Sequence, residues 1–178
     1  FTSLLLLILV FLIFNFSFLL VYTLIILGTV SCVEFFSIIQ KNKWNKINIF
    51  FVNCIFTVYI FIFCIFFFYF TALVQLKIIL LVILLSCVAS DIGGFIFGKI
   101  FQGPKLTKIS PNKTISGSFG SLIFSGGVYS ILIYYFTKNF ELSYILIGTL
   151  ISVSCQVGDL FFSYLKRRVN LKDTGNFL

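Results

Sequence analysis

Residues 47–69 read INIFFVNCIFTVYIFIFCIFFFY, with no Asp, Glu, Lys or Arg among them. An α-helix needs roughly 20 consecutive apolar residues to cross the hydrocarbon core of a bilayer. This stretch meets that length. Similar runs lie on both sides of it, at 3–15, 17–39, 74–98, 117–136 and 142–164. The weakest division is Asn15-Phe16-Ser17, and the first run looks truncated. Every run must be helical, because an open sheet edge in lipid leaves backbone polar groups unpaired. The expected fold is therefore an all-α polytopic transmembrane helix bundle of about six spans.

Composition argues against the soluble alternative. The chain has 178 residues, 60% hydrophobic and 10% charged, and its mean hydropathy is +1.15. Soluble domains carry about 25% charged residues. A chain of this size has too much surface for its volume to hide that much apolar area in its own core. The chain opens at Phe1 rather than Met and stops inside an apparent motif at Leu178, so a fragment is expected. The opening run lacks the basic segment and small-residue cleavage site of a signal peptide.

The net charge is +8, but nucleic acid is not the expected partner; the lipid bilayer is. Lys41, Lys43 and Lys46 form one basic loop, Lys99, Lys105, Lys108 and Lys113 a second, and Lys166, Arg167, Arg168 and Lys172 a third. Two spans separate the first from the second, and two more the second from the third. All three loops then fall on one side, and the positive-inside rule makes that side cytoplasmic. The five cysteines are scattered through apolar stretches without a C-x-x-C pair. They read as packing or lipid-facing residues, with no disulfide or zinc spacing. The absence of histidine removes Ser-His-type chemistry from these residues.

Only five acidic residues exist: Glu34, Asp91, Glu141, Asp159 and Asp173. Glu141 falls in an outer turn. Asp91 precedes Lys99 by eight residues and Asp159 precedes Lys166 by seven, which puts each ~10–12 Å inside the cytoplasmic end of its helix. Carboxylates at such depth are costly and usually face a bundle interior or a wet cavity. Their matching depth predicts one shared polar site opening to the cytoplasm. Helix-gluing carboxyls are the competing reading. Glu34 either packs helices or lines the same cavity. Gly94 and Gly98 form a G-x-x-x-G pair suited to close helix packing, which leaves Asp91 unexplained.

The second basic loop runs Lys105-Leu106-Thr107-Lys108-Ile109-Ser110-Pro111-Asn112-Lys113-Thr114-Ile115-Ser116-Gly117. It combines cations, hydroxyls and backbone N–H groups just before a helix start, the parts of a phosphate site. It lacks the Walker A spacing. On chemistry alone, a loop that sets topology and one that binds phosphate are equally good readings.

The C-terminal stretch reads Gly158-Asp159-Leu160, then Ser163, Leu165-Lys166-Arg167, Lys172-Asp173, Gly175 and Leu178. It resembles the opening half of the signature of the phosphatidate cytidylyltransferases, or CDP-diacylglycerol synthases. The block Asp91-x-Gly93-x-Phe95 and the block from Lys105 to Thr114 resemble the family as well. The resemblance runs from about Ser90 to Leu178, whereas the first 89 residues match only in hydropathy. This divides the chain into N-terminal transmembrane helices, 1–89, and a cytidylyltransferase catalytic region, 90–178, incomplete at its C-terminus. The family continues with Pro-Gly-His-Gly-Gly and an Asp-Arg-x-Asp element that carries a second metal-binding aspartate. Both would lie beyond Leu178. The loop after Lys105 is about one residue shorter than usual. Ile115-Ser116 stands where many members have an aromatic and a polar or acidic residue.

The resemblance implies a nucleotidyltransferase of phospholipid biosynthesis. CMP passes from CTP to phosphatidic acid, giving CDP-diacylglycerol and pyrophosphate, with Mg²⁺ as cofactor. Asp159 matches the family's metal aspartate. Asp159, Ser163, Lys172 and Asp173 are the expected catalytic residues. Asp91, Ser110, Lys113, Thr114, Lys166 and Arg167 are the expected substrate-binding ones. The expected location is the bacterial inner (cell) membrane with the site facing the cytoplasm, and homodimerisation is left open. A CTP-dependent polyprenol or phytol kinase and a non-catalytic transporter are the alternatives. The spacing from Ser163 to Leu178 argues against the first.

Overall fold

The computed structural model describes residues 2–15, 17–41, 44–107, 110 and 113–169. Six helices follow one another: α1 Thr2–Asn15, α2 Ser17–Gln40, α3 Lys46–Phe70, α4 Val74–Phe101, α5 Ile115–Thr137 and α6 Leu142–Arg168. No strand occurs among the described residues, and a single β-bridge joins Lys105 to Thr114. The fold is an all-α, polytopic membrane bundle. Five helices, α2 to α6, are long and apolar enough to cross a bilayer. With 14 residues, α1 rises only about 21 Å, short of the ~30 Å hydrocarbon core. Its C-terminus at Asn15 and the start of α2 at Ser17 coincide with the weak break read from sequence.

The chain forms two compact units, Phe1–Leu80 with Leu165–Leu178, and Leu81–Tyr164. Their boundaries differ from a division at residue 89. In the first unit α2 packs against α1 and α3. Phe35, Ile38, Ile39 and Leu165 form its buried cluster. The Phe35 and Phe56 rings stack at 3.8 Å between centroids. Glu34 lies on α2 in this unit, and its backbone carbonyl accepts the Ser37 hydroxyl.

The second unit is assembled through small residues. A Cβ placed on Gly93 would lie 2.7 Å from the Gly120 carbonyl oxygen, and one on Gly117 2.7 Å from that of Gly94. The α4 and α5 backbones touch there, so only a hydrogen fits at these positions. Between α5 and α6 the Ser125 hydroxyl donates to the Gly148 carbonyl at 2.8 Å. Val82, Tyr129 and Ile133 form the apolar cluster. Lipid gives helices no hydrophobic drive to associate, so close packing of small residues and hydrogen bonds between helices hold them together.

Candidate functional site

The loop between α4 and α5 is tied down from both ends. Gln102 has a left-handed φ of 39°, which turns the chain sharply after α4. The Leu106 N–H donates to the Lys113 carbonyl at 2.8 Å and the Ile115 N–H to Pro104 at 3.0 Å. Thr114 caps α5: its side chain accepts the Gly117 N–H at 3.1 Å, the usual role of a threonine with extended backbone before a helix. Lys113 is thereby fixed one residue ahead of the helix cap.

A cavity of about 330 Å³ opens where this loop meets α4, α5 and α6. Asp91 and Lys99 enter it from α4, Lys113 and Thr114 from the loop, and Gln156 and Asp159 from α6. Lys113 Nζ forms an ion pair with Asp159 Oδ2. Both carboxylates are exposed where they line the cavity.

A hydrogen-bonded chain supports the floor. The Ser118 hydroxyl donates to Gln156 Oε1. Gln156 Nε2 donates to the Ser118 carbonyl at 3.3 Å and to Ser152 Oγ at 3.2 Å. The Ser152 and Ser90 hydroxyls, both buried, share a bond of 2.7 Å. Both amide hydrogens and the oxygen of Gln156 are therefore engaged by protein, which makes it a strut between α5 and α6. It lies three residues before Asp159 on the same helix face.

The remaining sequence-derived candidates fall elsewhere. Ser110 is outside the cavity lining, and its carbonyl accepts the Lys113 N–H at 3.2 Å, so it shapes the loop that carries Lys113. Ser163 sits one turn beyond Asp159 on α6, half-buried and outside the lining. Lys166 and Arg167 occupy the last turn of α6. Lys172 and Asp173 lie outside the described residues. Sequence reasoning passed over Ser118 and Gln156. The available signal was a large amide inside an apolar span, one turn before an aspartate.

The first turn of α5 is less open to an anion than the loop's composition suggests. The Ile115, Gly117 and Ser118 N–H groups already have protein acceptors, the last in the Thr114 carbonyl. Lysine side chains are therefore the main cationic groups facing the cavity.

The residues partly fit a divalent cation. No cluster of three or more His, Cys, Asp or Glu occurs among the described residues. Mg²⁺ commonly uses one or two carboxylates and completes its shell with water and substrate phosphates. Asp91 and Asp159 on one open cavity suit that habit.

The family model described as "Cytidylyltransferase family" matches residues 1–178. The chain belongs to this family. The match includes the first 89 residues, where the sequence resembles the family in hydropathy alone. The chain is 36% identical to a Rickettsia felis phosphatidate cytidylyltransferase over 111 residues, covering 55% of this chain and 48% of the relative. It is 40% identical over 91 residues to the Staphylococcus haemolyticus protein of that name, covering 50% and 35%. For a Helicobacter pylori namesake the values are 35% over 96 residues, 54% and 36%. The chain thus spans less than half the length of each of these three relatives. No solved structure matches it.

Proposed function

We propose that the whole protein is a CTP:phosphatidate cytidylyltransferase and that this cavity is its nucleotide site. One observation carries the reading: two carboxylates and two lysines converge on a single cavity, lined by Asp91, Lys99, Lys113 and Asp159, in a chain whose named relatives are phosphatidate cytidylyltransferases. In the reaction, a phosphate oxygen of phosphatidic acid attacks the α-phosphorus of CTP. A new P–O bond forms, the bond to the β-phosphate breaks, and pyrophosphate leaves.

The nucleophile is already anionic near neutral pH, so no side chain has to remove a proton. Catalysis reduces to holding two anions together and neutralising charge on the leaving group. Lys99 and Lys113 supply compact positive charge. Asp91 and Asp159 would hold a Mg²⁺ ion, which neutralises phosphate oxygens when bound. The Ser118–Gln156–Ser152 chain fixes α6 against α5, so Asp159 keeps its position.

A lipid phosphate must meet a water-soluble nucleotide, which requires a site near the membrane surface. The charged residues of the cavity come from the C-terminal end of α4, the loop and the C-terminal half of α6. The basic-loop pattern supports reading that surface as the cytoplasmic face, and the bacterial origin of the named relatives supports a bacterial inner membrane. The test is CDP-diacylglycerol and pyrophosphate formation by the full-length protein in detergent, with and without CTP, phosphatidic acid and Mg²⁺. CTP-dependent phosphorylation of added polyprenol or phytol, with no CDP-diacylglycerol from phosphatidic acid, would reassign it as a lipid kinase. No lipid-dependent pyrophosphate release from CTP by well-folded protein would overturn the reading.

A further inference from the structure

Two cysteines read as packing residues meet in the second unit. Cys155 Sγ on α6 lies 3.4 Å from Cys87 Sγ on α4. Both are unoxidised thiols and half-buried, and Cys155 also lines the cavity. Their placement mirrors that of the carboxylates: Cys87 is four residues before Asp91, and Cys155 four before Asp159. Each thiol therefore sits one helical turn from its aspartate, on the same helix face. The thiol contact is the rung directly beneath the two carboxylates.

We propose that Cys87 and Cys155 form a peroxide-sensitive dithiol, whose oxidation to a disulfide ties α4 to α6 beneath the cavity and lowers turnover. Cys155, open to the cavity, reacts first: its sulfur takes an oxygen from hydrogen peroxide, giving a sulfenic acid and water. The Cys87 sulfur then displaces hydroxide from that sulfenic acid, forming the S–S bond and a second water. The sulfurs lose two electrons and the peroxide is reduced to two waters. A dithiol reductant reverses the change. Geometry favours the second step, because a resolving thiol already touches the oxidised one.

The effect on the site follows from distance. A disulfide brings the sulfurs to about 2.05 Å, so they must close from 3.4 Å. Rotation of the side chains or movement of the helices supplies that closure. The bond also removes freedom for α4 and α6 to separate as a nucleotide enters. An ångström-scale displacement of positioned groups can cost on the order of a hundredfold in rate.

The effect on turnover rests on the proposed cytidylyltransferase reading, whereas bond formation does not. The experiment uses the full-length protein in membranes, with Cys32, Cys54 and Cys64 replaced by alanine. After hydrogen peroxide, the protein is denatured and its free thiols are counted with a maleimide. We expect Cys87 and Cys155 to disappear together and return together with dithiothreitol, with turnover falling and recovering in step. Cys87→Ser should form no link, and its oxidised Cys155 should be trapped by dimedone. Retention of both thiols, or loss of one without the other, would overturn the proposal. A complete link with unchanged turnover would overturn its regulatory half. If the reduced protein turns over no CTP, the functional reading fails instead, and the thiol count still decides the link.

Discussion

Lys113 and Asp159 form an ion pair that joins the loop before α5 to the C-terminal half of α6. Their side chains are 30% and 58% exposed. Ion pairs this open contribute about 0–1 kcal/mol to stability, too little to explain a carboxylate kept within a membrane span. On the proposed reading, the pair supplies Asp159 with a counter-charge that an incoming cation would replace, the lysine then passing to a phosphate.

Asp159→Asn should abolish most turnover and spare the fold. The substitution removes charge and nearly preserves shape. Losing one electrostatic contact in such a site costs on the order of 10²–10³ in rate. Membrane insertion should be unchanged, since a neutral amide is easier to bury than a carboxylate. Asp91→Asn should be milder. The assay is CDP-diacylglycerol formation by the full-length protein, with insertion scored separately. Near-normal activity in inserted Asp159→Asn would make the residue structural.

Lys113→Ala should lower activity without lowering stability. The thermal midpoint in detergent should move little, given the exposure of the pair. KM for CTP should rise at least several-fold, because a phosphate-facing charge is lost. Lys113→Arg should recover part of the loss, since charge returns with a different shape. A large drop in thermal midpoint with unchanged kinetics would show that the pair serves the fold.

Two glycines offer a contrast in packing. Alanine at Gly93 would place its Cβ 2.7 Å from the Gly120 carbonyl oxygen, whereas nothing lies within 4 Å of a Cβ at Gly127. Gly93→Ala should therefore destabilise by about 1–3 kcal/mol, the usual range for overpacking. Gly127→Ala should be neutral. Thermal denaturation of both variants in the same detergent measures the difference, and equal midpoints would refute the close backbone approach.

Gln156→Leu should act through Asp159. It removes the acceptor of the Ser118 hydroxyl and the donor to Ser152. Interhelical hydrogen bonds in membranes are worth about 0.6–2 kcal/mol, so the protein should still insert. Turnover should fall with a smaller change in CTP affinity, since the residue positions α6 and has no hydrogen left for substrate. Gln156→Glu should retain more activity than leucine, because one carboxylate oxygen still accepts from the Ser118 hydroxyl and the other can accept from Ser152 once that hydroxyl turns to donate. An equal loss in both variants would count against a positioning role.

Orientation has its own test. Cysteines introduced at Lys41 and Lys105 on a cysteine-free background should react with an impermeant maleimide only from the cytoplasmic side. Labelling of the two from opposite sides would break the span count on which the topology rests.

The helices were legible to within about a turn because the bilayer imposes a simple rule on sequence. Apolar runs of spanning length must be helical, and their ends are marked by lysines, asparagines or glycines. The span read as 47–69 became Lys46–Phe70, one residue longer at each end, and that read as 142–164 became Leu142–Arg168, with an extra turn at a charged end that hydropathy does not count. The aspartates stood out for the same reason, as charges where lipid disfavours them. Gln156 and Ser118 escaped notice because uncharged polar residues are common in spans and carry no mark of function. The phosphate-loop reading of residues 105–117 could not show that the Ile115, Gly117 and Ser118 N–H groups are already bonded, since backbone partners are not written in residue identity.

Sequence by itself determined that this chain lies in a membrane, roughly where its helices begin and end, and which carboxylates fall inside apolar spans. Those are properties of a single helix in a uniform apolar solvent, so local composition suffices. Only the tertiary structure decided which faces meet. It set Lys113 on Asp159, joined Gln156 to Ser118 and Ser152, and brought Cys155 against Cys87. These contacts depend on how far each helix is rotated about its axis. In lipid that rotation is fixed by steric fit between small residues on neighbouring helices, so it is a property of helix pairs that no single stretch of sequence contains.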